Sequence, residues 1–262
     1  MSKSPPCVLV ECERDWRSAT PYKSLLYADR RGFAWEWLRR HAPYRHAWQS
    51  RDRLPEEFGL LAYEDPGHAL ADARPIWSPG IDPSVLASHP IRLPATAAED
   101  MLDIRKLSQF VSVEIDDADI EHWLLTDGQW IVRLDLHDGT LLGGPVFLGH
   151  ALSGFRAAEP GIAALRQLGA LATAGQMPPA LRPREPRAVR WVLELRTADA
   201  MISGASHQDM ARAFYGKTAT GERWRLENGS FRLRIQRLAR TARKYLDDPF
   251  CGPWFSARGS HP

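Results

Sequence analysis

No apolar run in this 262-residue chain approaches the ~20 residues that a membrane-crossing helix needs. A membrane-spanning helix is therefore not expected. The N-terminus, Met1 to Cys7, is polar and interrupted by Pro5 and Pro6. It lacks the long apolar stretch of a secretory signal, so a cytoplasmic protein is expected. Cysteine is scarce: Cys7, Cys12 and Cys251 are an odd number without zinc-ligand spacing. That reads as free thiols in a reducing compartment, not a disulfide framework. No glycine-rich phosphate loop is present, since Gly143-Gly144-Pro145 lacks both a lysine and a following helix start. No Gly-x-Ser-x-Gly elbow occurs, nor any internal repeat or low-complexity tract.

The nine histidines form no clear catalytic or metal pattern. His41 and His46 straddle Pro43, which breaks any shared helical face. His122, His137 and His150 fall near expected strand ends with Asp135 and Asp138 close by. They read as loop histidines, with a ligand trio as the sharper alternative. Asp116-Asp117-Ala118-Asp119 lacks the longer ligand series and the glycine of a calcium loop. The expectation is a protein that is not an enzyme, with no catalytic residue, no metal and no cofactor.

What the chain has is an uneven charge. The net charge of +2 conceals a segment from Arg182 to Arg258 with 16 Lys/Arg against 8 Asp/Glu, a net of +8. The remainder holds 18 basic and 24 acidic groups, a net of −6. Such asymmetry points to an anionic partner for the basic part: DNA, RNA or an acidic protein. Arginine supplies 14 of the 16 cations. Its planar fork suits phosphates and guanine edges better than lysine does. With 44% apolar residues and ten tryptophans, a sizeable core can form.

The pattern predicts an α+β chain in three parts: a small helical module over 1–55, a β-rich region over 56–152 and a helical region over 153–262. In the first, Thr20 and Pro21 read as the N-cap and first residue of a helix ending at Gly32. A second helix follows from Phe33 to about His41. Eight aromatics lie between Trp16 and Trp48. They read either as the core of the module or as a docking surface built on Trp16, Tyr22, Trp35 and Trp37. In the middle, apolar runs at 58–63, 75–77, 110–115, 123–125, 130–136 and 146–148, with turns such as Asp127-Gly128, predict an antiparallel meander. Residues 87–100 are rich in proline and alanine and read as a loop. A helix is predicted from Gly161 to Ala174, then a proline-rich linker over 177–186.

Three further helices are predicted within 187–248. The first spans Ala188 to about Met201 and is broken at Ser203-Gly204-Ala205. Ser206, with Asp209 three residues on, caps a second from Gln208 to Phe214. Residues 221–226, with Trp224, could be helical or a wing-like insert. The third runs from about Ser230 to Leu246. Its apolar stripe is Phe231, Ile235, Leu238, Ala242 and Tyr245/Leu246. Its other faces carry Arg232, Arg234, Arg237, Arg240, Arg243 and Lys244, and only Glu227, Asp247 and Asp248 lie near enough to neutralise them. A short capped helix followed by a longer arginine-rich one suggests a helix-turn-helix variant.

The stretch Gly204 to Gly216, Trp224 and Arg232 to Lys244 resemble a proteobacterial helix-turn-helix-variant domain of transcription factors. Residues 16–22 and 32–40 resemble the transcriptional-regulator-like module that often precedes it. The pair resembles the excision activators of integrative and conjugative elements (FseA-type). That resemblance implies a nucleoid-associated bacterial activator of excision and transfer genes, with promoter DNA as partner, and RNA polymerase and an antiactivator protein as further partners. It places DNA contacts at Ser206, His207, Gln208, Arg232, Arg234, Arg237 and Arg240. Arg223, Arg225, Arg243 and Lys244 are the other candidate cations. The competing expectation is a protein-binding antiactivator or adaptor that does not itself bind DNA.

Overall fold

The computed structural model describes residues 15–91, 100–216 and 229–255. They form an α+β architecture: N-terminal helices, a five-stranded sheet and C-terminal helices.

The N-terminal part opens with a 3-10 segment, Thr20–Tyr27, capped at Ala19 without a side-chain bond. Helix α1 spans Arg30–Leu38, and the Asp29 carboxylate accepts from the Arg31 backbone N–H at its start. Gly32 therefore does not end a helix, as the pattern suggested, but sits in the first turn of one. Its role is close approach: a Cβ there would lie 2.4 Å from Leu70 Cδ2. Helix α2, Ala42–Ser50, begins with Pro43 in its first turn and ends at Arg51 in the left-handed region. Eight of the nine residues of α1 are buried, because α1 is covered on several sides. Trp35 meets Tyr44 of α2 edge-on at 5.9 Å. Phe33 meets Trp191 at 5.0 Å, and Trp37 meets Tyr245 at 5.1 Å.

The runs 58–63 and 75–77 do not become full strands. They touch through a single antiparallel bridge, Leu60 to Trp77. The sheet consists of β1 (Leu86–Pro90), β2 (Val111–Ile115), β3 (Glu121–Thr126), β4 (Ile131–Leu136) and β5 (Leu148–Ala151), in the order β2-β3-β4-β1-β5. Strands β2 to β4 are the expected meander. Strand β1, in the stretch read as a loop, adds parallel to β4 and antiparallel to β5. The sheet is thus mixed. Proline stands at the last position of β1, where a missing N–H costs the ladder little.

Alternation along β3 and β4 divides the two faces. Trp123, Leu125, Val132, Leu134 and Leu136 pack on helix α3, Glu159–Ala174, through Ala164, Leu168 and Leu171. The opposite face carries the cross-strand pairs His122–Asp135, Leu124–Arg133 and Thr126–Ile131. It is covered by the N-terminal part through Ile76 and Leu61. Arg133 is fully buried there and donates to the carbonyls of Trp77 and Trp123 and to Asp135. Both strands are consequently buried along their whole length.

The C-terminal part contains helices α4 (Ala188–Ile202), α5 (His207–Tyr215) and α6 (Gly229–Asp247). They share a core with the N-terminal part. One cluster joins Tyr22, Leu25, Phe33, Trp35, Trp37 and Tyr44 to Trp191, Val192, Leu195, Ala198, Ala242 and Trp254. Residue 55 is no boundary of the hydrophobic core.

Candidate nucleic-acid interface

Helix α4 is the scaffold on which α5 and α6 are mounted. Its C-terminal turn leads through Gly204, held at φ +73°, into α5 four residues later. Glycine takes that left-handed conformation without a Cβ penalty. Ser206 Oγ accepts from the Asp209 N–H, and the Asp209 carboxylate accepts from the Ser206 N–H. This capping box fixes the first turn of α5. The Ser206 hydroxyl, then its backbone N–H, hold the Asp209 carboxyl below the usual carboxylate range. The short glycine-bearing turn lies between α4 and α5. The α5–α6 connection, with Arg223, Trp224 and Arg225, falls outside the described residues.

A small core locks the three helices. Ala200 of α4, Met210 and Ala211 of α5, and Ile235 and Leu238 of α6 pack around Trp16, which comes from the other end of the chain. The Trp16 ring stands edge-on to Phe214 at 6.1 Å. Arg196 of α4 donates to the carbonyls of Trp16 and Arg17 and lies 4.7 Å over the Phe214 ring. Burial lowers the Arg196 pKa, yet these carbonyl bonds keep its donors occupied. A second tie is ionic. Asp199 accepts from Arg40 Nε at 2.6 Å, from Arg40 Nη2 at 2.8 Å and from the Tyr22 hydroxyl at 2.6 Å. Arg40 also donates to Glu36. His41 Nδ1 lies 2.7 Å from the Leu246 carbonyl.

Because α6 packs on α4 through Ile235, Leu238, Ala239 and Ala242, its opposite side faces outward. Leu233, Arg237, Arg240 and Lys244 follow one another there at intervals of four, three and four residues, one helical stripe. Arg232, Arg234 and Arg243 flank it and are also exposed. Arg234 lies 5.7 Å over the Phe231 ring, which in turn meets Tyr215 at 5.1 Å. That puts Arg234 at the α5 side of the stripe. None of the six α6 cations forms an ion pair with a described residue. The buried arginines are engaged. Arg31 binds Asp29 and Asp82, Arg40 binds Glu36 and Asp199, and Arg133 binds Asp135. Ser206, His207 and Gln208 are exposed at the start of α5.

The aromatic candidates for protein docking lie elsewhere. Trp16 is 3% exposed, and Tyr22, Trp35 and Trp37 are fully buried. They form core and helix-locking contacts and present no docking surface. The aromatic density of 16–48 is therefore the signature of an interior that two parts of the chain share. The histidines are also accounted for. His122 pairs with Asp135 at 2.9 Å and faces Asp116 at 3.3 Å, and His150 meets the Ser88 hydroxyl. Among the described residues no three His, Cys, Asp or Glu side chains converge as a metal site. Cys251 is a free thiol whose pKa burial pushes up, and Cys7 and Cys12 lie outside the described residues. No described helix is long and apolar enough to cross a membrane.

The residues that sequence reasoning missed are the ties themselves, Arg40, Asp199 and Arg196. Their partners are 159 to 180 residues away along the chain, and no local pattern marks such a pair.

No sequence among the curated proteins matches the chain. Two family models do match parts of it. Residues 15–77, from the start of the described chain to the Leu60–Trp77 bridge, match the proteobacterial transcriptional regulator-like domain. Residues 156–248, from α3 through α6, match the DNA-binding domain described as a T6SS transcription factor. Neither model covers the sheet between them. The two matches support a DNA-binding transcription regulator, and the exposed cations of α6 lie inside the segment that matches the DNA-binding domain.

Proposed function

We propose that the chain activates transcription by laying α6 against promoter DNA, with the first turn of α5 beside it, and that it has no catalytic role. The observation that carries this is the concentration of cations on one helix: the buried Arg31, Arg40 and Arg133 are ion-paired, and the six cations of α6 are exposed and free of ion pairs with described residues. A dense set of unpaired cations repels itself and is relieved by a polyanion. In this reading Arg237, Arg240 and Lys244 meet phosphates or base edges, and Arg232, Arg234 and Arg243 extend the contact to either side. Ser206, His207 and Gln208 approach the backbone or an adjacent base. The protein acts in the cytoplasm, on the nucleoid.

For the regulated genes, the resemblance of residues 16–48 and 203–246 to excision activators favours the excision and transfer genes of an integrative and conjugative element. RNA polymerase would then be the target of activation, and an antiactivator protein its natural check. The protein-binding alternative keeps the exposed basic helix as a surface for an acidic partner but not the aromatics of 16–48, which are interior. The test is binding of the full-length protein to labelled duplexes at several salt concentrations. One duplex is generic, one carries an excision-gene promoter and one a type VI secretion promoter from the same genome. Binding that steepens as salt falls, with one promoter preferred over generic duplex, is expected. No binding at low salt refutes DNA recognition, and preference for the secretion promoter refutes the assignment to excision genes.

A further inference from the structure

Leu233 stands out on the cationic face of α6. It is 51% exposed, and it occupies the outward stripe with Arg237, Arg240 and Lys244. Arg232 and Arg234 adjoin it in sequence. A lone exposed leucine on a protein surface ordinarily needs no account. This one stands at the N-terminal end of the surface on which the DNA-binding reading rests, ahead of Arg237, Arg240 and Lys244. It is also the fifth residue of a 19-residue helix. In helix-turn-helix proteins the N-terminal residues of the reading helix reach the base edges. An apolar side chain at that point has one apolar feature of the major groove to meet, the C5-methyl group of thymine.

We propose that Leu233 is a specificity-determining residue that packs on a thymine methyl in the major groove, while Arg237, Arg240 and Lys244 hold the helix in place. The inference rests on the proposed role of α6. It adds that the protein selects a thymine at one position of its site, through apolar contact and without a hydrogen bond. Arginine further along the stripe supplies affinity. Leu233 supplies discrimination between bases.

The test starts by selecting binding sites for the full-length protein from a randomised duplex pool. A thymine at one fixed position is expected among the selected sites. Replacing that thymine by uracil removes the methyl and leaves base pairing and hydrogen-bonding groups in place. The wild-type protein should then bind about four-fold more weakly, the equivalent of one methyl-sized group left in water. Leu233→Ala should bind thymine and uracil sites equally, because the contact is already gone. The side chain is exposed, so this variant should fold as the wild type does, and Leu233→Met provides a second variant that retains an apolar contact and should retain the preference. If uracil is tolerated by the wild type at every thymine of the site, or if Leu233→Ala still discriminates thymine from uracil, the proposal is overturned. Failure of the underlying reading looks different: Arg237→Gln/Arg240→Gln would then leave affinity and salt dependence unchanged. Loss of binding in that arginine variant alongside a neutral Leu233→Ala would keep α6 on the DNA and remove Leu233 from base recognition.

Discussion

Replacing Arg237 and Arg240 together by glutamine should move DNA affinity and protein stability in opposite directions. On α6, Arg234, Arg237, Arg240 and Arg243 are spaced three apart, and Arg240 and Lys244 four apart. Residues at these spacings are neighbours on a helix surface, so the series contains four like-charged pairs. All four include Arg237 or Arg240. At ~0.2–0.5 kcal/mol each, their repulsion costs the free protein about 1–2 kcal/mol at low salt. None of these cations is offset by an ion pair with a described residue. Removing the pairs should raise the melting temperature by roughly 2–8 °C for a chain of this size. The gain should fade as salt rises, because exposed charges are screened. DNA binding should behave in the reverse sense. With six phosphate contacts, log Kobs should fall with log salt at a slope of about −5. Losing two contacts reduces the slope by roughly two, and at 0.1 M salt it weakens binding by about 60-fold. Fluorescence anisotropy on a labelled duplex between about 50 and 200 mM salt reads the slope, and a thermal melt reads the stability. A folded double variant with wild-type affinity and slope would remove α6 from the interface. A variant that loses both stability and DNA binding would mean that these arginines serve the fold, contrary to their lack of ion pairs among the described residues.

A fragment beginning at residue 182 should not fold alone. Trp191, Val192, Leu195, Ala198, Ala242 and Trp254 would lose the N-terminal residues that bury them. A cooperative melt by circular dichroism with native DNA affinity would refute this, and deletion of residues 1–50 should be equally disruptive. Asp199→Ala strips Arg40 and Tyr22 of their shared acceptor and leaves a buried guanidinium short of one carboxylate. Urea unfolding should show a loss of about 3 kcal/mol, and a loss below 1 kcal/mol would refute the tie. The hydrogen bond to Asp135 raises the His122 pKa above the ordinary histidine value, against the opposing effect of burial. The folded value exceeds the unfolded one, so this stabilisation is complete below the ordinary histidine range and is lost as pH rises through the folded value. Asp116 and Asp135 are both held below the usual carboxylate range and remain ionised there. For Asp116 the Ile120 backbone bond leads; for Asp135 the bonds from His122 and Arg133 outweigh burial. His122→Gln should therefore cost most near pH 5.5 and least near pH 9, and a pH-independent cost would refute the pairing.

The C-terminal helices were legible because their ends are written locally. Ser206 and Asp209 mark the start of α5, Gly204 the break before it, and the proline-rich stretch the gap between α3 and α4. The N-terminal part was less legible, because there the same residue types answer to distant partners. Gly32 resembles a helix end, yet it is glycine to admit Leu70. Runs 58–63 and 75–77 have strand-like composition but serve as a cover over the sheet face that bears Leu124 and Ile131. Strand β1 was hidden by proline and alanine. Its pairing is decided by β4 and β5, between which it fits, and not by its own propensity.

The site shows the same division between local and distant determinants. That α6 has few carboxylates beside its cations, only Glu227, Asp247 and Asp248, can be read from its neighbours in sequence. That Arg31, Arg40 and Arg133 are interior cannot, because beside a local carboxylate each is held by a group from another segment, Asp82, Asp199 and the Trp77 carbonyl. The aromatic residues pose the same ambiguity. A cluster of tryptophans and tyrosines suits an interaction surface or a core equally well, and only the arrival of α4 and α6 over α1 decides between them. The two matched segments thus share one hydrophobic core. The regulator-like part contributes Trp16 to the core of the DNA-binding helices and Arg40 to their ionic tie. The same contacts set the position of α4, on which α6 packs. Trp16, Arg40 and Asp199 therefore tie the N-terminal part to the helices of the matched DNA-binding domain.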